Sequence, residues 1–335
     1  MPVSTITANQ TPDTIETPTV SENPLLLFAR ANDLWQVNVQ GKNVTQLTTY
    51  QTLNWNMEEG DEWRLAAQNQ PPTFSPDGKW LIFSPTGHDL TLINLPENKQ
   101  INLPKPGAFM AVWSPDSRFV AYAPNHQELF IYDIENAQAI SLFQTESPNI
   151  VNIVWSPDSQ FVGFGCCFIA NADGVSTGQI KRVEIVTGAA ETVGEMSSSI
   201  GGGTPPLCWL PADEIVQLNS ENDLDGQCSY RPPGIEAISP DGALRALLQP
   251  ASANDSFWEE ATLLTVEDVQ SSTPLWQRQL SENVKIVAWS ADGQYLILDD
   301  FQSNSPIWRM KGDNSQPPEI LVDEGYLLDV ASVTN

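Results

Sequence analysis

A short motif returns along this chain at a nearly regular interval, and that interval constrains the fold more than any other property. "WSPDSRFV" begins at Trp113 and "WSPDSQFV" at Trp155, with further copies "FSPDGKWL" at Phe74, "ISPDGALR" at Ile238 and "WSADGQYL" at Trp289. The serines Ser75, Ser114, Ser156, Ser239 and Ser290 stand 39, 42, 83 and 51 residues apart. The 83-residue step is about two periods, and a worn copy falls near its middle: "CWLPADEIVQL", with Trp209 in the aromatic place and Pro211 in the turn.

One repeat can be read physically. Pro at the second position of a type I turn, followed by Asp and then Gly or a small residue, makes a tight reversal between two strands. The turn aspartates are Asp77, Asp116, Asp158, Asp241 and Asp292. The segment leaving each turn, such as "RFVAYA" or "KWLIFS", is apolar on both faces, so the strand is expected to be covered from both sides. Two more strands follow, as in "ELFIYDI" and "AISLF". Four strands in about 42 residues is the size of one propeller blade. A lone blade cannot cover two apolar faces, so the blades must close into a ring.

The sequence therefore predicts an all-β chain, a seven-bladed β-propeller of four-stranded antiparallel sheets, with six blades as the alternative. The opening "LLLFARANDLWQVNVQGKNVTQLT" has three strands of a unit without its first, and "YLLDVASV" near the other end is a spare strand. That strand is expected to pair into the first blade and close the ring. The fifth blade is short and expected to lack its outer strand. Residues 1–24 read as a disordered Thr/Pro/Ser-rich tail and 25–335 as one propeller domain. The repeated Trp113, Trp155, Trp209 and Trp289 are expected to pack between blades.

The aromatic-Ser-Pro-Asp-Gly turn, with "LWQVNVQGKNVTQLT" as an outer half, resembles the TolB-like, WD-like propeller repeat over roughly residues 25–333. Ala291 stands in place of the turn proline, Ser117 and Ser159 in place of glycine, and the worn copy has lost its serine. The resemblance implies the fold. Function it leaves open among periplasmic scaffolds, sensor modules and the propeller halves of serine peptidases.

Charge narrows the partners. With 42 acidic and 15 basic residues, the formal net charge is -27. Such a surface repels phosphate backbones and anionic lipid, so nucleic acid is not an expected partner. No apolar run approaches the ~18 residues of a membrane span. The Thr/Pro-rich start has no basic n-region and no apolar h-region, and so is not a signal peptide. An exported chain whose leader has been removed (secreted, periplasmic or lipid-anchored) is the expectation, with an ordinary cytoplasmic terminus as the alternative.

Turns between first and second strands, and between third and fourth, share one face and are short. The other connections share the opposite face and are long: Thr49–Gln70, Gly165–Gly178, Gly194–Pro206, Asn219–Gly226 and Gln249–Ser256. Binding is expected on that long-loop face. Its candidates are Trp55 and Trp63 in the largest insertion, His88 and His126 in matched loops, and Asp223 and Asp225 in an acidic loop. Trp55 and Trp63 suit an aromatic platform, or else a plug on the ring. The two histidines suit solvated loop positions, and a metal between them is the sharper alternative. Asp223 and Asp225 resemble a fragment of a calcium loop without its bidentate glutamate, so no cofactor is expected and Ca2+ is the alternative.

Four cysteines complete the inventory. Strand register makes Cys208 a buried free thiol and assigns any disulfide to Cys228 with Cys166 or Cys167. The functional expectation is a monomeric, non-catalytic scaffold binding a protein or small ligand. A carbohydrate-binding or glycan-acting propeller, or an orphan relative of the non-catalytic half of serine peptidases, is the alternative. The one G-x-S-x-G match, "GVSTG" from Gly174 to Gly178, falls in a connection read as joining two strands of a blade, whereas a nucleophile elbow requires a strand-to-helix turn.

Overall fold

In the computed structural model, the five intact turns share one hydrogen-bonded corner. The serine hydroxyl donates to its aspartate Oδ1, at 2.6 Å for Ser75, Ser114 and Ser156 and 2.5 Å for Ser239 and Ser290. The same hydroxyl accepts the backbone N–H five residues on, at 2.8 to 3.0 Å, fixing the start of the next strand. The aspartate Oδ1 also accepts the N–H two residues on. Two side chains thus satisfy backbone groups that a bare turn would leave to water.

The structure describes residues 25–31, 33–49, 72–84, 89–97, 99–105, 108–124, 126–146, 150–170, 175–199, 207–210, 213–218, 236–250, 262–280, 284–300 and 305–331. Among these it is all β-strand and turn, with no helix. Blade 1 holds β1 (Leu25–Arg30), β2 (Asp33–Asn38) and β3 (Thr45–Gln46). Blade 2 holds β4 (Thr73–Phe74), β5 (Trp80–Phe83), β6 (Thr91–Asn94) and β7 (Lys99–Asn102). Blade 3 holds β8 (Ala108–Trp113), β9 (Phe119–Pro124), β10 (Glu128–Asp133) and β11 (Gln138–Gln144). Blade 4 holds β12 (Val151–Trp155), β13 (Phe161–Ala170), β14 (Val175–Glu184) and β15 (Ala190–Ser199).

Blade 5 has two strands among the described residues, β16 (Leu207–Leu210) and β17 (Glu214–Gln217). Blade 6 holds β18 (Glu236–Ile238), β19 (Leu244–Pro250), β20 (Thr262–Asp268) and β21 (Thr273–Gln279). Blade 7 holds β22 (Ile286–Trp289), β23 (Tyr295–Asp299), β24 (Ile307–Lys311) and β25 (Glu319–Val322). The last strand, β26 (Tyr326–Val330), pairs antiparallel with β1 and completes blade 1. Seven antiparallel sheets result, six of four strands and one of two, and the fold is a seven-bladed β-propeller.

The core lies between blades. Six apolar clusters fill the boundaries 1–2, 2–3, 3–4, 4–5, 6–7 and 7–1 among the described residues. The repeated tryptophans sit at these boundaries, and their polar edge is used as well. Trp113, Trp155 and Trp289 each donate the indole N–H to a carbonyl on the preceding blade's innermost strand: Thr73 at 3.3 Å, Val112 at 3.0 Å and Ala237 at 3.2 Å. Trp209, in the worn copy, donates instead to Asp213 of its own blade at 3.2 Å.

The seam where the ring closes carries two buried carboxylates. Asp299 Oδ2, from blade 7, accepts the N–H of Leu327 on β26 at 2.7 Å. Asp329, on β26, accepts the N–H of Phe74 in blade 2 at 2.8 Å. The closing strand is therefore tied to the blades on both sides as well as to β1.

Candidate binding face

Among the described residues, the strand order assigns each connection to a face. The Ser-Pro-Asp turns and the third-to-fourth-strand turns lie on one face; second-to-third and inter-blade connections lie on the other. The candidates Trp55, Trp63, His88, Asp223 and Asp225 fall outside the described residues. His126 is described, between β9 and β10. Its backbone sits at φ 56°, its ring Nδ1 donates to the carbonyl of Ile150 at 3.3 Å, and its own carbonyl accepts the N–H of Ile150 at 2.8 Å. The imidazole thus ties the loop of blade 3 to the first residues of blade 4.

Blade 4 corrects one expectation. Gly165–Gly178 and Gly194–Pro206 read as loops in the sequence, yet β13 runs on to Ala170, β14 starts at Val175 and β15 continues to Ser199. These three strands have ten residues each, against two to seven elsewhere. The overrun is at the long-loop end, where Ala170 pairs with Ser176 and Val175 with Ser199. The glycines mark close packing rather than breaks. A Cβ on Gly165 would lie 2.1 Å from the Met196 sulfur, and one on Gly178 2.7 Å from the Phe168 ring. The result is a raised three-stranded wall, with Ile169 near its top 72% exposed.

The wall is braced from blade 5. The Gln217 side chain of β17 accepts the N–H of Ser197 at 3.0 Å and donates to its carbonyl at 2.7 Å, standing in for a paired strand. On the inner side, a Cβ on Gly163 would meet Ile215 at 2.6 Å and Trp209 at 3.2 Å, so blade 5 packs closely there.

The cysteines overturn the expected pairing. Cys208, expected to be a free thiol, is disulfide-bonded, whereas Cys166 and Cys167 are both free. The fourth cysteine, Cys228, lies outside the described residues. Two facts about direction explain the error. Cys166 and Cys167 face the core between blades 3 and 4, away from blade 5. Leu207 and Trp209 face blade 4, so strand alternation turns the intervening Cys208 to the opposite side. The expectation also placed Cys228 at the start of a third strand of blade 5, a segment outside the described residues.

The turn aspartates stand on the other face, held in the corners described above. The Ser156 hydroxyl holds the Asp158 carboxyl below the usual carboxylate range, and Ser239 does the same for Asp241.

No family model and no curated protein matches the chain. Solved structures do. An oligogalacturonate lyase in complex with manganese is 12% identical, with a TM-score of 0.50, covering 90% of this chain and 85% of that one. The oligogalacturonate lyase of Vibrio parahaemolyticus is also 12% identical, with a TM-score of 0.49 and coverages of 89% and 84%. TolB from Acinetobacter baumannii is 14% identical, with a TM-score of 0.44 and coverages of 94% and 68%. The shared architecture is the β-propeller. At these identities the likeness shows the fold alone, and the function of this propeller rests on its own residues. Among the described residues, no helix is long and apolar enough to cross a membrane and no group of three or more His, Cys, Asp or Glu is placed to hold a metal ion.

Proposed function

We propose that this propeller is a non-catalytic binding module acting outside the cytoplasm, and that it holds a protein partner on its long-loop face. The observation that carries the reading is the wall of blade 4. Three strands overrun the ring on that face, paired to their ends and braced by Gln217, with Ile169 offered to solvent. A rigid frame presenting an apolar side chain among long connections suits recognition, because little ordering entropy is lost on contact. The Cys208 disulfide supports an oxidising compartment. The charge of -27 favours a partner with a basic contact surface.

Immobilised wild-type protein and two variants, Ile169→Glu and Ile320→Glu, test this by affinity capture from extracts of the producing cell's envelope. Ile320 is 58% exposed on the outer strand of blade 7 and supplies the same change away from the wall. The partner should be retained at least ~10-fold less by Ile169→Glu, a loss of about 1.4 kcal/mol, and equally well by Ile320→Glu. Equal retention by all three would remove the wall from the account. Binding to a glycan array in parallel would replace the protein partner with a carbohydrate.

A further inference from the structure

The bulge that begins the wall brings two thiols together. In a regular strand, neighbouring side chains point to opposite faces. Between Cys166 and Ile169 the pairing of β13 with β14 slips, and Cys167 takes a left-handed backbone with φ 62°. Both side chains consequently turn toward blade 3. Cys166 belongs to the core cluster between blades 3 and 4, and Cys167 packs against it. The Cys167 side chain is close enough to add to the effect of burial in raising the Cys166 thiol. Cys166 is fully buried, whereas Cys167 is partly exposed with its sulfur 3.9 Å from the Thr145 hydroxyl. Both are free thiols in a chain that elsewhere carries a disulfide at Cys208.

We propose that Cys166 and Cys167 are a redox-active dithiol that closes to a vicinal disulfide by exchange with a small-molecule disulfide. Cys167 reacts first because it is the one a reagent can reach. Its thiolate attacks one sulfur of the incoming disulfide, forming a mixed disulfide and expelling one thiolate. Cys166 gives up its proton and attacks the Cys167 sulfur, expelling the second thiolate. The incoming disulfide is reduced by two electrons, the cysteine pair is oxidised by two, and the two thiol protons end on the two released thiols. Burial pushes the Cys166 thiol up to about 12, so it does not compete for the reagent and acts only once its neighbour is activated.

The ring so formed is strained. Consecutive Cα atoms lie 3.80 Å apart across a trans peptide, short of the usual ~4.4–6.8 Å separation in disulfides. Strained disulfides are readily reduced, so the pair should cycle while the Cys208 bond persists. This inference does not depend on the proposed binding role.

The test uses the full chain, incubated with glutathione disulfide, quenched with acid and analysed by intact mass and non-reducing peptide mapping. The wild type should lose two hydrogens and both free thiols, with no glutathione attached, and mild reductant should restore both thiols before the Cys208 bond opens. Cys166→Ser should trap a stable glutathione adduct on Cys167, and Cys167→Ser should leave Cys166 unmodified in the folded protein. Unconsumed thiols in the wild type, a persistent adduct on wild-type Cys167, or a new link from either cysteine to Cys208 would each overturn the proposal. The wild-type measurement stands by itself if a variant fails to fold.

Discussion

The hydroxyl of Ser159 in blade 4 accepts the backbone N–H of Asp116 in blade 3, at 3.1 Å. Ser117 does the same for Asp77 one blade earlier, at 2.9 Å. These serines stand where the other turns have glycine, in a left-handed backbone with φ 60° and 62°. A side chain in that region costs ~1–2 kcal/mol, and here it gains a bond between blades. The net worth of such a bond is about 1 kcal/mol, so the two effects roughly cancel. Ser159→Gly should leave stability within about 0.5 kcal/mol of wild type, while Ser159→Ala, which keeps the strain and loses the bond, should cost ~1–2 kcal/mol. Denaturant unfolding of both variants checks the order: a Ser159→Ala variant as stable as wild type would show that the cross-blade bond contributes nothing, and equal losses in the two would show that the left-handed backbone carries no strain.

Trp155 fills the boundary between blades 3 and 4, stacked near Phe119 at 6.1 Å between ring centroids and bonded to the Val112 carbonyl. Trp155→Ala should cost ~3–5 kcal/mol through the cavity it leaves. Trp155→Phe, which keeps most of the apolar volume, should cost less than half as much. A thermal melt of each reads the difference.

Gly163 is nearly bare of space on its blade 5 side. Gly163→Ala should destabilise by ~1–3 kcal/mol by pushing Ile215 and Trp209 away. Gly188, whose added Cβ would meet nothing within 4 Å, is the contrast in the same blade. Its φ of 69° makes Gly188→Ala a strain effect alone, smaller than the steric one at Gly163. Losses in the reverse order would contradict the close packing of blade 5.

Asp329 gives a pH signature. Burial pushes its carboxyl up to about 7, against backbone N–H bonds from Phe74 and Val330 that favour the anion. A carboxyl raised in the fold above its unfolded value of about 3.9 binds protons more readily in the folded chain. Its contribution is full below about pH 4 and is lost as pH rises to about 7. Asp329→Asn cannot titrate, so the stability difference between wild type and variant should shift toward the variant between pH 4 and 7 and level off above. A pH series of melting temperatures with a constant difference would contradict the raised value.

Removing Tyr326 onward should abolish cooperative melting, because β1 loses its inner partner and the Asp299 and Asp329 ties go with it. A truncated chain that melts like the full one would show that the ring does not need its closing strand.

The fold was legible because its instructions are local. Serine, proline and aspartate lie within a few residues of the backbone groups they satisfy, so one repeat reveals its own corner and the period reveals the ring. What escaped was anything settled between repeats. Nothing within one copy says that the Ser117 hydroxyl bonds the blade before it, and the sequence shows this only as a departure from glycine. Gly165 and Gly178 look like strand ends until Met196 and Phe168 are seen against them. The Cys208 assignment failed because the direction in which a side chain leaves its strand does not follow from spacing along the chain. Of the binding candidates, His126 is described, and the wall that raises Ile169 carried no signal beyond an apolar stretch between glycines.

The place of β26 has a consequence for synthesis. Its partner β1 is made before any other described strand, and β26 after all of them. A chain still on the ribosome cannot complete its first sheet, so the inner side of β1 stays open to pairing with any extended segment nearby. The producing cell must shield that edge, or keep the chain unfolded, until the final strand has emerged.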